Sequence, residues 1–83
     1  MPWFVYILEC VDLTLYTGIT TDIDRRISEH TQGKGAKYTK GRGPLKLVYS
    51  EKLSNRSLAT KREIEIKSFS KEEKKRLFIY EKK

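Results

Sequence analysis

The chain is a small basic protein of 83 residues, long enough for one domain with a small core, and we expect residues 1–83 to form that single domain. Its 18 lysines and arginines against 11 acidic residues give a net charge of +7, which suits a polyanionic partner, nucleic acid first, and equally a merely solvated basic surface. A single cysteine, Cys10, excludes an internal disulfide, and no apolar run approaches the roughly 20 residues of a membrane span. We therefore expect a cytoplasmic monomer that does not enter the membrane.

Two strands joined by a short polar connection are predicted at the start of the chain. The run Trp3–Leu8 is rich in aromatic and β-branched residues, and Leu15–Thr20 has the same character. The short connection between them predicts an antiparallel hairpin. Gly18 is costly inside a strand unless a backbone or a ligand must approach closely at that point.

A helix is predicted next, with Thr21 and Asp24 as its N-terminal capping pair and Gly33 near its end. Arg26 and His30 lie four residues apart, so their side chains project from adjacent turns of one helical face.

The segment from Gly33 to Lys46 has a different composition and is predicted to be a loop. It holds four of the five glycines and five basic residues, and it has no acidic residue. Mobile positive charge and one aromatic side chain suit nucleic-acid backbone and base stacking, although a loop of this kind can also be merely solvated. The predicted nucleic-acid contacts are Lys34, Lys37, Tyr38, Lys40 and Arg42.

A third strand and two further helices complete the predicted domain. Residues 45–50 favour a strand, Ser54 or Asn55 can cap a helix that ends near residue 68, and Ser70 with Glu73 forms a capping box for a short last helix. The order β-β-α-β-α-α predicts an α/β domain with a three-stranded sheet flanked by helices.

The second helix has an unusual pattern. Leu58, Ala59 and Ile66 are predicted to form its apolar side, yet Arg62 falls within that side and Glu63 lies at its edge. Phosphodiester hydrolysis needs a divalent cation and a group that stabilises developing charge, and one carboxylate can suffice for Mg²⁺, which keeps several waters. Glu63 is the candidate carboxylate.

Each candidate residue also has a purely structural interpretation. Glu63 could be an exposed glutamate paired with Lys67, and Arg26 could pair with Asp22 or Glu29. His30 could be a cation favoured at the end of a helix. The tyrosines at positions 6 and 16 could be ordinary half-buried strand residues.

Taken together, the motifs resemble those of the GIY-YIG nuclease superfamily over residues 3–69, and above all its small bacterial members. The two short motifs are Val5-Tyr6-Ile7 and Tyr16-Thr17-Gly18, and an arginine follows the glycine by eight residues. The later matches are His30, Ala59, Glu63 and the pair Ile66-Lys67.

This resemblance implies an endonuclease that cleaves DNA, in preference to RNA, with one Mg²⁺ or Mn²⁺ ion. It implies that Glu63 binds the metal, that Arg26 holds the phosphate, and that Tyr6, Tyr16 or His30 helps to deprotonate the attacking water. Ile19 departs from the lysine that repair-type members carry there. The alternatives are a non-catalytic nucleic-acid-binding module with the same fold and a domain that binds an acidic protein.

Overall fold

A three-stranded antiparallel sheet and three helices form in the predicted order β-β-α-β-α-α, which confirms the predicted fold class. The computed structural model describes residues 2–32 and 44–79. The strands are β1 (Trp3–Glu9), β2 (Leu15–Thr20) and β3 (Lys46–Leu53). The helices are α1 (Ile23–Thr31), α2 (Arg56–Lys67) and α3 (Lys71–Ile79).

Strand β1 lies at the centre of the sheet, in the order β2-β1-β3, and its residues 5–8 are buried. A run that is apolar on both sides of the pleat suits a strand covered on both faces. One face presents Val5 and Ile7, which form the core together with Ala59 and Ile66 of α2. Because successive residues of a strand point to opposite faces, Tyr6 lies on the other face.

The turn of the β1–β2 hairpin sets the register of these two strands. Cys10 and Thr14 close it with a backbone hydrogen bond of 2.9 Å, and Asp12 Oδ1 accepts hydrogen bonds from the Thr14 backbone N–H and hydroxyl at 3.2 and 2.6 Å. The resulting register pairs Tyr6 with Gly18. The hairpin thereby fixes which residue of β2 meets the buried tyrosine.

One helix cap differs from the sequence prediction, and the structure decides between two candidates for another. Asp22, and not Thr21, caps α1, because its Oδ1 accepts from the Arg25 N–H at 3.1 Å. Of the two candidates for α2, Asn55 is the cap and accepts from the Leu58 N–H at 3.0 Å. The predicted capping box of α3 is present, with Ser70 and Glu73 bonded reciprocally at 2.8 and 3.2 Å.

Two other predictions need correction. Strand β3 continues to Leu53, three residues beyond its predicted end, because it pairs with the whole length of β1. Leu58 is 43% exposed and does not belong to the packed side of α2.

The predicted nucleic-acid contacts at positions 34, 37, 38, 40 and 42 lie outside the described residues. Within the ranges that are described, no helix has both the length and the apolar character needed to cross a membrane.

A polar network joins β3 to α2 and explains the arginine on the apolar side of that helix. Glu51 Oε1 accepts hydrogen bonds from the Tyr49 hydroxyl and from Arg62 Nε, both at 2.9 Å. Arg62 Nη1 also donates to Glu65 Oε1 at 2.8 Å. The guanidinium thus keeps charged partners at a partly buried position, where an unpaired cation would be costly. We call Tyr49, Glu51, Arg62 and Glu65 the β3–α2 network.

Candidate active site

Gly18 provides the space that the Tyr6 side chain occupies. Tyr6 is 1% exposed, and Gly18 is its direct neighbour on β2. A Cβ atom at Gly18 would lie 2.6 Å from Tyr6 Oη and 2.8 Å from Tyr6 Cζ, closer than non-bonded atoms approach. The sequence indicated a close approach of backbone or ligand at this glycine, whereas the group that approaches is a side chain, the phenol of Tyr6. The glycine of the second motif therefore serves the tyrosine of the first.

We expect Gly18→Ala to lower the free energy of unfolding by about 1–3 kcal/mol, the usual cost of forcing extra atoms into a packed interior. Urea denaturation followed by circular dichroism would measure the loss. The same substitution in a Tyr6→Phe background removes the atom nearest the new methyl group, so the additional loss should be smaller there. Equal losses in the two backgrounds would show that the Tyr6 hydroxyl is not what Gly18 accommodates.

His30 joins the same buried cluster from helix α1. Its Nε2 lies 3.0 Å from Tyr6 Oη, within hydrogen-bonding distance, and the side chain is 2% exposed. The Tyr16 ring packs edge-on against the imidazole at a centroid separation of 5.2 Å and lies 6.3 Å from the Tyr6 ring. Three residues that the sequence placed on three elements thus meet on one face of the sheet. The interpretation of His30 as a helix-terminal cation does not fit this burial, which disfavours the charged imidazole.

Burial keeps both members of the hydrogen-bonded pair electrically neutral near pH 7. It raises the pKa of Tyr6 to about 12, and hydrogen bonding to Arg26 acts in the opposite direction. Burial also lowers the pKa of His30 below its ordinary value, and the nearby Arg26 charge lowers it further. A neutral imidazole with its proton on Nδ1 can accept at Nε2, so the Tyr6 hydroxyl can donate to His30.

Arg26 connects this cluster to solvent. Its side chain is 30% exposed, and its Nη1 donates to Glu29 Oε1 at 3.0 Å. Hydrogen bonding to Glu29, and to a lesser extent to Tyr6, raises the pKa of the guanidinium, which stays a cation. The pairing with Glu29 that the sequence left open is therefore present, and Arg26 acts on Tyr6 as well. A partly exposed guanidinium next to a buried phenol can meet an arriving anion.

Glu63 lies at the border between solvent and interior, with 18% of its side chain exposed. It follows the fully buried Ala59 by one helical turn, and its negative charge contributes to the raised pKa of Tyr6. Its Oε2 lies 3.3 Å from Lys67 Nζ, so the ion pair that the sequence left as an alternative does form. Because Lys67 is 54% exposed, this pair is a weak one that a stronger cation can displace.

The donor set suits one kind of metal site and not another. Among residues 2–32 and 44–79, no group of three or more histidine, cysteine, aspartate or glutamate side chains could hold an ion. A fully caged metal such as structural zinc therefore does not fit that part of the chain. A single partly buried carboxylate does fit Mg²⁺, which usually retains several waters and takes one or two carboxylates together with substrate phosphate.

The family model of the GIY-YIG catalytic domain matches residues 2–76. The chain belongs to the GIY-YIG family. A UPF0213 protein from Natronomonas pharaonis is 54% identical over 74 residues, covering 89% of this chain and 87% of that protein. The UPF0213 protein YhbQ of Escherichia coli is 49% identical over 76 residues, covering 92% of this chain and 76% of YhbQ. The resemblance inferred from the motifs is thus confirmed.

Two solved structures have the same fold. The solution NMR structure of the UPF0213 protein BH0048 from Bacillus halodurans shares 51% identity, has a TM-score of 0.60, and is matched over 93% of this chain and 82% of that one. The solution NMR structure of EF2693 from E. faecalis shares 35% identity, has a TM-score of 0.66, and is matched over all of this chain and 90% of that one. The GIY-YIG domain indicates a nuclease family and an interaction with nucleic acid.

Proposed function

We infer that this protein is a metal-dependent endonuclease that hydrolyses phosphodiester bonds, in DNA in preference to RNA, with one Mg²⁺ or Mn²⁺ ion. The observation that carries this proposal is the cluster of Tyr6, His30 and Arg26, which joins a neutral proton acceptor, a protonated phenol and an accessible guanidinium. The family supplies the reaction class. A cluster with a purely structural role would not need a partly exposed cation beside a buried phenol.

The charge and burial of each residue indicate its role in the proposed reaction. Arg26 carries a fixed planar charge at the solvent edge and holds the scissile phosphate. The Tyr6 hydroxyl takes a proton from the attacking water as it passes its own proton to His30 Nε2, so the phenol need not ionise despite its high pKa. Tyr16 packs against the imidazole and holds its ring in place.

Glu63 would hold the divalent ion, which would supply Lewis-acid stabilisation of the phosphate when bound. The partial burial of Glu63 strengthens the attraction of its carboxylate for a hard cation, and the exposed Lys67 can give up its ion pair with that carboxylate. We also propose that the basic glycine-rich segment, with Lys34, Lys37, Tyr38, Lys40 and Arg42, adds sequence-independent affinity for the nucleic-acid backbone.

The Lys67–Glu63 pair also favours a second function, a non-catalytic nucleic-acid-binding module. In such a module the lysine would occupy the carboxylate permanently and no metal would be needed. The two functions differ in one property, which is cleavage that depends on a divalent ion.

Incubation of the purified protein with end-labelled single-stranded and branched DNA, and with matched RNA, tests the proposal. We expect cleavage with Mg²⁺ or Mn²⁺, none with EDTA, and recovery of cleavage when excess metal is added back. Binding of the same substrates without any cleavage, at all metal concentrations, would contradict the nuclease and favour the binding module.

A further inference from the structure

The sheet face that carries Tyr6 continues across the sheet in two rows of cross-strand neighbours. Such neighbours point to the same face. The rows are Gly18–Tyr6–Ser50 and Thr20–Phe4–Lys52, each running from β2 through β1 to β3. The residues on β3 therefore lie beside the candidate catalytic tyrosine.

In both rows the residue on β3 is exposed, whereas the residue on β2 is buried. Thr20 is 5% exposed, Phe4 is half-buried and Lys52 is exposed. In the other row Tyr6 is buried and its partner Ser50 is exposed. The β2 side of the face meets α1 through His30, whereas α2 packs on the opposite face. The β3 side of the face is thus accessible directly next to the site.

The chemistry of this exposed side suits a nucleic-acid strand. Lys52 offers a cation, Ser50 a hydroxyl donor and Phe4 part of an aromatic ring. The acidic residue between them, Glu51, points to the other face, where Tyr49 and Arg62 bind it. Lys52 also lines a cleft of about 380 Å³ at the end of β3, together with Pro2, Leu53 and Ser54. A lysine cation and a serine hydroxyl can both bind phosphate, and a nucleic-acid base can stack on an aromatic ring.

We propose that Phe4, Ser50 and Lys52 form a track for the nucleic-acid strand that carries the bond to be cut. This proposal rests on the proposed function and extends its substrate contacts beyond the glycine-rich segment. Ser50 is the direct neighbour of Tyr6 on the adjacent β-strand, about 5 Å away. A nucleic-acid strand that leaves the site towards β3 therefore meets Ser50 first. Lys52 lies two residues further, about 7 Å along β3, and contacts the next part of the backbone.

Salt dependence of binding tests the lysine contact. Affinity for a labelled single-stranded oligonucleotide is measured by fluorescence anisotropy at several salt concentrations in EDTA, so that nothing is cut. We expect Lys52→Gln to lower the slope of log affinity against log salt by about 0.7, the value for one lost phosphate contact on a single strand. The matched control, Lys61→Gln, removes the same charge from an exposed position on α2 and should leave the slope unchanged. Equal effects of the two substitutions would overturn the track.

Photo-crosslinking tests the identity of the occupant. A Ser50→Cys variant can be labelled selectively with a benzophenone maleimide, because the native Cys10 is 2% exposed. We expect a crosslink to the oligonucleotide from position 50 and little from the Lys61→Cys control. A crosslink between two protein chains in its place would overturn the proposal.

Cleavage by the parent protein, measured in parallel with Mg²⁺, separates this inference from the proposed function. If the parent protein cleaves the substrate but both track experiments give negative results, only the proposed track is ruled out. A parent that does not cut while both track experiments succeed would leave a binding surface and remove the nuclease.

Discussion

Glu63→Gln is expected to abolish metal-dependent cleavage and to leave the fold and most of the nucleic-acid affinity intact. The amide keeps the shape of the side chain but lacks the charge that holds a hard cation. Lewis-acid stabilisation of a phosphoryl transition state is worth several kcal/mol, so the loss of rate should be on the order of a thousandfold or more. Single-turnover cleavage at saturating Mg²⁺, together with Mn²⁺ binding by isothermal titration calorimetry, would measure both effects.

Glu72→Gln is a suitable control, because it makes the same chemical change at an exposed position of α3. Loss of the Lys67 ion pair in Glu63→Gln should cost only about 0.3–0.5 kcal/mol of stability, as is typical of such pairs on a helix. If Glu63→Gln cuts as fast as the parent and binds Mn²⁺ equally well, the metal is held elsewhere.

Arg26→Ala is expected to reduce catalysis much more than binding. A guanidinium that contacts developing charge is worth about 2–4 kcal/mol in the transition state, which corresponds to a roughly 30- to 900-fold slower reaction. Arg26→Lys should recover only part of this rate, since lysine offers a point charge in place of a planar fork. Single-turnover rates and oligonucleotide affinities, measured on the same preparations, would separate the two effects.

The neighbouring Arg25→Ala provides the matched control, because Arg25 is exposed on the same helix and its cap contact uses the backbone N–H. We expect it to cleave at close to the parental rate. Losses of equal size in affinity and rate for Arg26→Ala would reduce Arg26 to a simple binding contact.

The sequence predicted the fold well because its local signals agree with one another. Aromatic and β-branched runs located the strands, and the Ser70–Glu73 capping box located the start of α3. It failed at the start of α1, where Thr21 and Asp22 are both acceptable caps and the choice depends on the chain direction leaving β2. Thr20 Oγ1 accepts from the Asp22 N–H at 3.1 Å, and Asp22 itself becomes the cap.

For the candidate site, the spacing placed Arg26 and His30 on adjacent turns, and the structure has both near Tyr6. The burial of His30 and its bond to the phenol depend on packing between α1 and the sheet, which no local pattern encodes. The reason for Gly18 was equally hidden, since only the strand register shows which side chain fills its space. Ser50 and Lys52 look like ordinary polar residues in the sequence, where Lys52 even falls beyond the predicted strand, until the β1–β3 register places them beside Tyr6 and Phe4.

The β3–α2 network has a mechanical consequence for the candidate metal carboxylate. Consecutive residues of an α-helix are separated by about 100° of rotation around its axis. By attaching Arg62 to Glu51 of the sheet, the network opposes rotation of α2 about its axis, and together with the core contacts of Ala59 and Ile66 it helps to fix the direction in which the next residue, Glu63, points. Arg62, the charged residue on the apolar side of α2, thus helps to hold the helix in one rotational orientation on the sheet.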